Sequence, residues 1–281
     1  MAAAKESTSR VLATVLILAL VCATLVAGAA VGLRERQEAN RLLDQRKNIL
    51  IAAGLYREGA DVEALFDNIE TRLVRLADGS LLPPEALDPT AYDQLKAAAR
   101  PRTSRELSRE EDLAGLGRLE KYAPVYLVRQ NGELQTVVLP IRGRGLWSLM
   151  HGYVALTADF NTIAGVTFYR HGETPGLGGE IENPDWQQGW QGKQVYDRRQ
   201  QAALRVVKGQ APPGEEGKHR IDGISGATLT LEGVSELLEF WFGPHGFKPF
   251  LQRLQREGVT EMTISGEQVD ELPLVGQGSG T

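Results

Sequence analysis

The sequence predicts an α+β protein: a single N-terminal transmembrane helix, then a mainly antiparallel sheet with flanking helices. Three observations carry this. Residues 11–33, VLATVLILALVCATLVAGAAVGL, contain no charged side chain. At 1.5 Å per residue that run spans ~35 Å, enough to cross the hydrocarbon core of a bilayer. Two β-rich runs, APVYLVR and ELQTVVLPI, flank Asn131-Gly132, a pair that favours the tight turn matching strand twist. Finally, Leu231, Val234, Leu238 and Trp241 recur at helical spacing.

Composition bounds the function. A chain of 281 residues, 42% hydrophobic and 24% charged, is long and apolar enough to bury a core. A formal charge of -5 offers no basic field for nucleic acid. The single cysteine, Cys22, excludes an internal disulfide and a CxxC metal site. The histidines, at 151, 171, 219 and 245, are scattered, so no metal site is expected.

The elements follow in order. Residues 1–34 read as a membrane anchor. A cleaved signal peptide is the rival, since Ala27-Gly28-Ala29 resembles a cleavage site, but the apolar run exceeds the usual signal core. Lys5 and Arg10 precede the span and five basic residues follow it between Arg34 and Lys47, which by count places the following domain in the cytoplasm. Acidic neighbours and the size of that domain leave the side open. Residues 35–120 read as a helical, then charged and Pro-rich, part of the soluble region. A helix is expected over 35–53, stopped by Gly54, and another over 62–76, capped by Asp61, with Leu65, Ile69, Leu73 and Leu76 on one side. Residues 78–118 read as surface loops and short helices. Residues 121–258 hold the sheet: the hairpin from Tyr122, strands over 153–157 and 163–169, another over 204–207, then helices over 229–242 and 248–257. Residues 259–281 read as a loose tail.

Two stretches invite chemistry. In DGISGATLT, residues 222–230, three hydroxyls and two glycines precede a helix. Backbone N–H groups at a helix start lack intrahelical partners and favour an anion, while Gly223 and Gly226 clear side chains from their path. Equally, Ser225 or Thr228 is a plain N-cap. Gly223-Ile-Ser225-Gly-Ala227 also approaches the nucleophile elbow of serine hydrolases, but only His245 follows and no strand–helix units remain. In HGETPGLGGE, residues 171–180, four glycines and a proline make a turned loop able to approach a flat ligand, or merely an elaborate turn. It matches neither the dinucleotide fingerprint nor the Walker loop. Glu173 there reads as an acid–base group or a backbone acceptor, and Trp147, in RGLW, as a stacking ring or a core residue.

Taken in order, RGLWSLMHGYVAL at 144–156, GVTFYRHGETPGLGGEIENPDW at 165–186 and DGISGATLT at 222–230, behind one N-terminal span, resemble the C subunits of the sodium-translocating NADH:quinone reductase. The resemblance implies FMN joined by a phosphoester to Thr228, with Ser225 as a cap or phosphate ligand, Gly226 and Ala227 cofactor-binding beside it, and Thr230 facing elsewhere. By motif position it implies Glu173, Thr174, Leu177, Gly178 and Trp147 against the flavin. It implies no catalytic side chain beyond the flavin, which relays electrons between redox centres of partner subunits in NADH-to-quinone transfer coupled to Na+ export. A flavin transferase, using FAD and a divalent metal, is implied for maturation. So is a single-pass place in the bacterial inner membrane with the soluble domain on the periplasmic side, against the basic-residue count. The G subunit of the ferredoxin:NAD ion-translocating oxidoreductase, a non-redox anchored scaffold and a hydrolase using Ser225 stand as alternatives.

Overall fold

A computed structural model describes residues 8–262. It divides into two compact units, Met1–Arg46 and Lys47–Thr281. The expected anchor and the helix after it are one element, α1, Thr8–Ala52. Through Leu43 its side chains are exposed, and its apolar part is long enough to cross a membrane. The hydroxyls of Thr14 and Thr24 donate to the carbonyls of Arg10 and Leu20, four residues back, which satisfies them without water.

In the second unit, α2, Val62–Phe66, is capped by Asp61, whose carboxylate accepts from the N–H groups of Glu63 and Ala64. The expected helix over 62–76 ends there. Residues Ile69–Arg75 form strand β1 instead. Ile69 and Leu73 are four residues apart, a spacing that shares a face in a strand as well as in a helix, and pairing with a distant strand decides between the two. Residues 78–118 are also less superficial than expected. They contain α3, Gln94–Ala99, and a short strand, β2, Ser104–Glu106, which pairs antiparallel with β3, Arg118–Glu120, at the segment's end. Leu81 and Leu82 are buried, and Leu82 packs with Leu73, Tyr92, Ala97 and Tyr122.

The main sheet continues with β4, Tyr122–Gln130, β5, Glu133–Arg144, β6, Leu149–Thr157, and β7, Ile163–Arg170. Its order is β1-β4-β5-β6-β7, antiparallel throughout. The β4–β5 turn is the one foreseen, with Asn131 at φ 54° and Gly132 at φ 84°. After β7 come α4, Pro184–Gln188, and β8, Arg205–Val206, which pairs in parallel with an unforeseen β9, Arg220–Ile221. Helices α5, Thr228–Trp241, and α6, Lys248–Glu261, complete the fold. The last runs past its expected end at 257 with a break at Gly258, φ 70° and ψ 175°; from residue 263 the tail lies outside the described residues.

Alternation along β5 explains the two faces. Val137, Leu139 and Ile141 join Leu231, Val234, Leu237, Leu238 and Trp241 of α5 in the larger core. Val138, with Tyr126, Tyr153 and Ala155, meets Ile49, Leu50 and Ala52 on the other. Close contact needs glycines at two places: a Cβ on Gly143 would lie 2.5 Å from Leu237 Cβ, and one on Gly233 2.3 Å from the Arg144 carbonyl oxygen. Helix α5 is thereby seated on the end of β5. Beneath it Arg142 forms a bidentate pair with Glu120, at 2.7 and 2.5 Å. The Trp241 indole N–H donates to the Arg142 carbonyl at 2.6 Å.

Candidate functional site

The three motif segments meet where β5, β7 and α5 present their ends. Segment 144–148 turns from β5 into β6, with the Gly145 N–H donating to the Ser148 carbonyl at 2.8 Å. Segment 171–179 follows β7. There the Leu177 N–H donates to the Thr174 carbonyl at 3.1 Å across Pro175-Gly176. Gly176 sits at φ 74°, the signature of a Pro–Gly turn. The Gly179 N–H donates to the same carbonyl at 2.9 Å. The third segment leads into α5 and is tied down upstream: Trp186 Nε1 donates to the Asp222 carbonyl at 2.8 Å, and Asp222 Oδ1 accepts from the Ala211 N–H at 2.7 Å.

Contacts between the segments centre on Glu173. Its Oε1 accepts from the N–H groups of Trp147 and Ser148, at 3.0 and 3.3 Å. Its Oε2 accepts from the Leu146 N–H at 3.2 Å and from Thr230 Oγ1 at 2.6 Å. Burial opposes ionisation here, yet the bonds from Thr230 and from the amides of Trp147, Ser148 and Leu146 outweigh it. The carboxyl is held below the usual glutamate range. Glu173 is thus a saturated acceptor facing the protein's own donors.

The start of α5 differs from a plain capped helix. Thr228 is its first residue and Ala227 its N-cap, and no side chain caps it. Neither Ser225 nor Thr228 performs the capping expected of a hydroxyl at such a place: Ala227 takes the N-cap position, with Ser225 two residues before it and Thr228 one after, and Gly226 between stands at φ 76°. Ser225, Gly226 and Thr228 are exposed, whereas Ala227 and Thr230 are buried. Leu177 reaches this point: a Cβ on Gly226 would lie 2.7 Å from Leu177 Cδ2. Leu146, Trp147, Leu177 and Leu229 expose apolar surface, Trp147 to 68%, so Trp147 is no core residue. The structure therefore brings Thr228, Ser225, Gly226, Leu177 and Gly178 together and joins the Trp147 backbone to them through Glu173. Thr230 is the member whose part sequence reasoning missed; its partner lies 57 residues away, beyond any local signal.

Uncapped N–H groups, an exposed hydroxyl beside a bare glycine and exposed apolar side chains fit a phosphate carrying a flat ring. A groove of about 700 Å³, lined by Asn48, Tyr169, Pro175, Glu180, Asn183 and Gln187 among others, runs beside the same loop and takes in none of residues 222–230. The hydrolase alternative finds no relay: His245 engages Arg105 and Glu111, and no hydrogen bond joins it to Ser225 among the described residues.

Comparison with known proteins agrees. Residues 145–243 match the FMN-binding domain family. The chain is 47% identical over 257 residues to the C subunit of the Na(+)-translocating NADH-quinone reductase of Pseudomonas aeruginosa, covering 90% of this chain and 98% of that protein. It is 43% identical over 259 residues to the same subunit of Vibrio anguillarum, covering 92% and 100%. Among solved structures, Shewanella oneidensis NqrC superposes with a TM-score of 0.70 at 37% identity, over 75% of this chain and 96% of that one. The corresponding C subunit from Parabacteroides distasonis superposes at 0.60 and 29%, over 78% and 96%.

Proposed function

Because this chain belongs to the family of C subunits of the Na(+)-translocating NADH-quinone reductase, we propose that it is an FMN-bearing subunit of that complex with the flavin joined covalently to Thr228. The observation that carries the proposal is the exposed Thr228 at the first position of an uncapped helix.

In this reading Thr228 is flavinylated by a transferase acting on FAD with a divalent metal. The Thr228 hydroxyl gives up its proton, its oxygen bonds to the phosphorus of the FMN half, the pyrophosphate bond breaks and AMP departs. No oxidant or reductant is consumed. The first-turn N–H groups of α5 would hold the phosphate, so no lysine is required. Ser225 and Gly226 border it. Leu177 and Trp147 would flank the ring, with Thr174 and Gly178 shaping the turn that carries Leu177. When bound, FMN supplies electron transfer; the protein sets its place and surroundings. The subunit relays electrons between redox centres of neighbouring subunits during NADH-to-quinone transfer coupled to Na+ export. Residues 1–34 anchor it in the bacterial inner membrane, and residues 121–258 carry the flavin on the periplasmic side. The span contains no intramembrane charge, so this chain supplies no ion path of its own.

Flavin fluorescence in a denaturing gel tests this, on the full chain co-expressed with an active transferase, beside Thr228→Val. A bright wild-type band and a dark Thr228→Val band are expected. A dark wild-type band beside a bright control substrate rejects the covalent assignment.

A further inference from the structure

Resting on that reading, we infer that Glu173 is a positioning residue: with Thr230 it forms a clasp that sets the rotation of α5 and so presents Thr228 for flavin attachment. Thr228 and Thr230 are two residues apart on α5, which at 3.6 residues per turn separates their side chains by roughly 200°. Drawing the Thr230 hydroxyl onto Glu173 Oε2, at 2.6 Å, therefore turns Thr228 outward. Thr230 is 2% exposed, while Thr228 is exposed.

The same carboxylate gathers the N–H groups of Leu146, Trp147 and Ser148. One group thus holds the turn bearing Trp147 against α5, and its own loop continues directly into Thr174–Leu177. Sterics enforce the arrangement from both sides. A Cβ on Gly145 would lie 2.6 Å from Glu173 Oε1, and one on Gly178 2.4 Å from Thr230 Oγ1. Only an ionised carboxylate serves here: it is acceptor-only with about four lone-pair sites, and four donors converge on it. A glutamine of the same shape would turn an N–H₂ toward at least one of them. The donors all come from the segments that form the flavin site, unlike those of the buried Glu120, which serves Arg142 and Gln94 in the core.

The test measures initial rates of flavin attachment to the full chain by purified transferase with FAD and Mg2+, with circular dichroism verifying the folded fraction of each variant. The variants are Glu173→Gln, Thr230→Val and Thr230→Ser. Loss of a hydrogen bond to a charged group predicts attachment slower by roughly tenfold to a hundredfold in Glu173→Gln and Thr230→Val. Thr230→Ser, which restores the donor, should recover the rate. Packing alone predicts the reverse order, because valine keeps the shape of threonine and serine loses a methyl. Wild-type rates in Thr230→Val, or equal loss in Thr230→Ser, overturn the clasp. Failure of the wild type itself to load, while a control substrate loads, rejects the flavin assignment and the clasp with it.

Discussion

Replacing Gly178 by alanine tests the packing of the site with two glycines of one loop that are needed for different reasons. A Cβ at 178 would lie 2.4 Å from Thr230 Oγ1, 3.1 Å from Glu173 Cβ and 3.2 Å from Glu173 Oε2. Ordinary carbon contacts lie near 3.5–4.0 Å, so the hydroxyl must retreat by ~1 Å, enough to break its 2.6 Å bond to Glu173. Overpacking of this kind costs about 1–3 kcal/mol, and a hydrogen bond to a charged group contributes about 1.5–3 kcal/mol. Gly178→Ala should therefore destabilise the soluble unit by about 3 kcal/mol. Gly176 has nothing within 4 Å of its Cβ position but stands at φ 74°, so Gly176→Ala costs only the left-handed backbone, about 1–2 kcal/mol. Urea unfolding of the full chain in detergent, followed by tryptophan emission, compares the two at a common slope. A loss at Gly178→Ala below about 0.5 kcal/mol, or smaller than that at Gly176→Ala, refutes the reasoning.

Two further perturbations follow from the core and the surface. Glu120→Gln leaves the Arg142 guanidinium, 6% exposed, without its countercharge, which costs about 3–5 kcal/mol and lowers Tm by roughly 10 °C; thermal melts should show it, and replacing both partners by apolar residues should recover much of it. Asp78 is exposed, and the partial burial of its carboxylate would raise its pKa, yet bonds from Arg75 and Ser80 bring it down to about 2 from 3.8. Its folded value being depressed, its contribution is full above 3.8 and fades as pH falls toward 2. Melts through that window should show a shallower acid loss in Asp78→Asn than in the wild type; identical slopes contradict the assignment.

Much of the fold was legible because the signals were local. Asn131-Gly132 demanded the left-handed turn that it makes, and Leu231, Val234, Leu238 and Trp241 marked the buried face of α5. Ile69 and Leu73 misled because a spacing of four suits a strand as well as a helix. The partners that decide, Val128 and Pro124 on β4, lie more than fifty residues on. Leu81 and Leu82, in a Pro-rich stretch, looked superficial until the structure closed over them. Strand β9 is two residues long, too short for a period. In the site, the motif residues were visible as types in order, and the resemblance gave them roles. The bond from Thr230 to Glu173 was not visible, since nothing in either neighbourhood records the other. Nor was the bare start of α5, because a hydroxyl before a helix ordinarily caps it.

The central claim concerns one oxygen atom, and mass spectrometry of the peptide containing residues 222–230 tests it most directly, on full chain matured by the transferase. Attachment at Thr228 predicts that peptide heavier by one FMN less one water, with fragmentation locating the addition on Thr228. The unmodified mass alone, or the addition on Ser225 or Thr230, contradicts it.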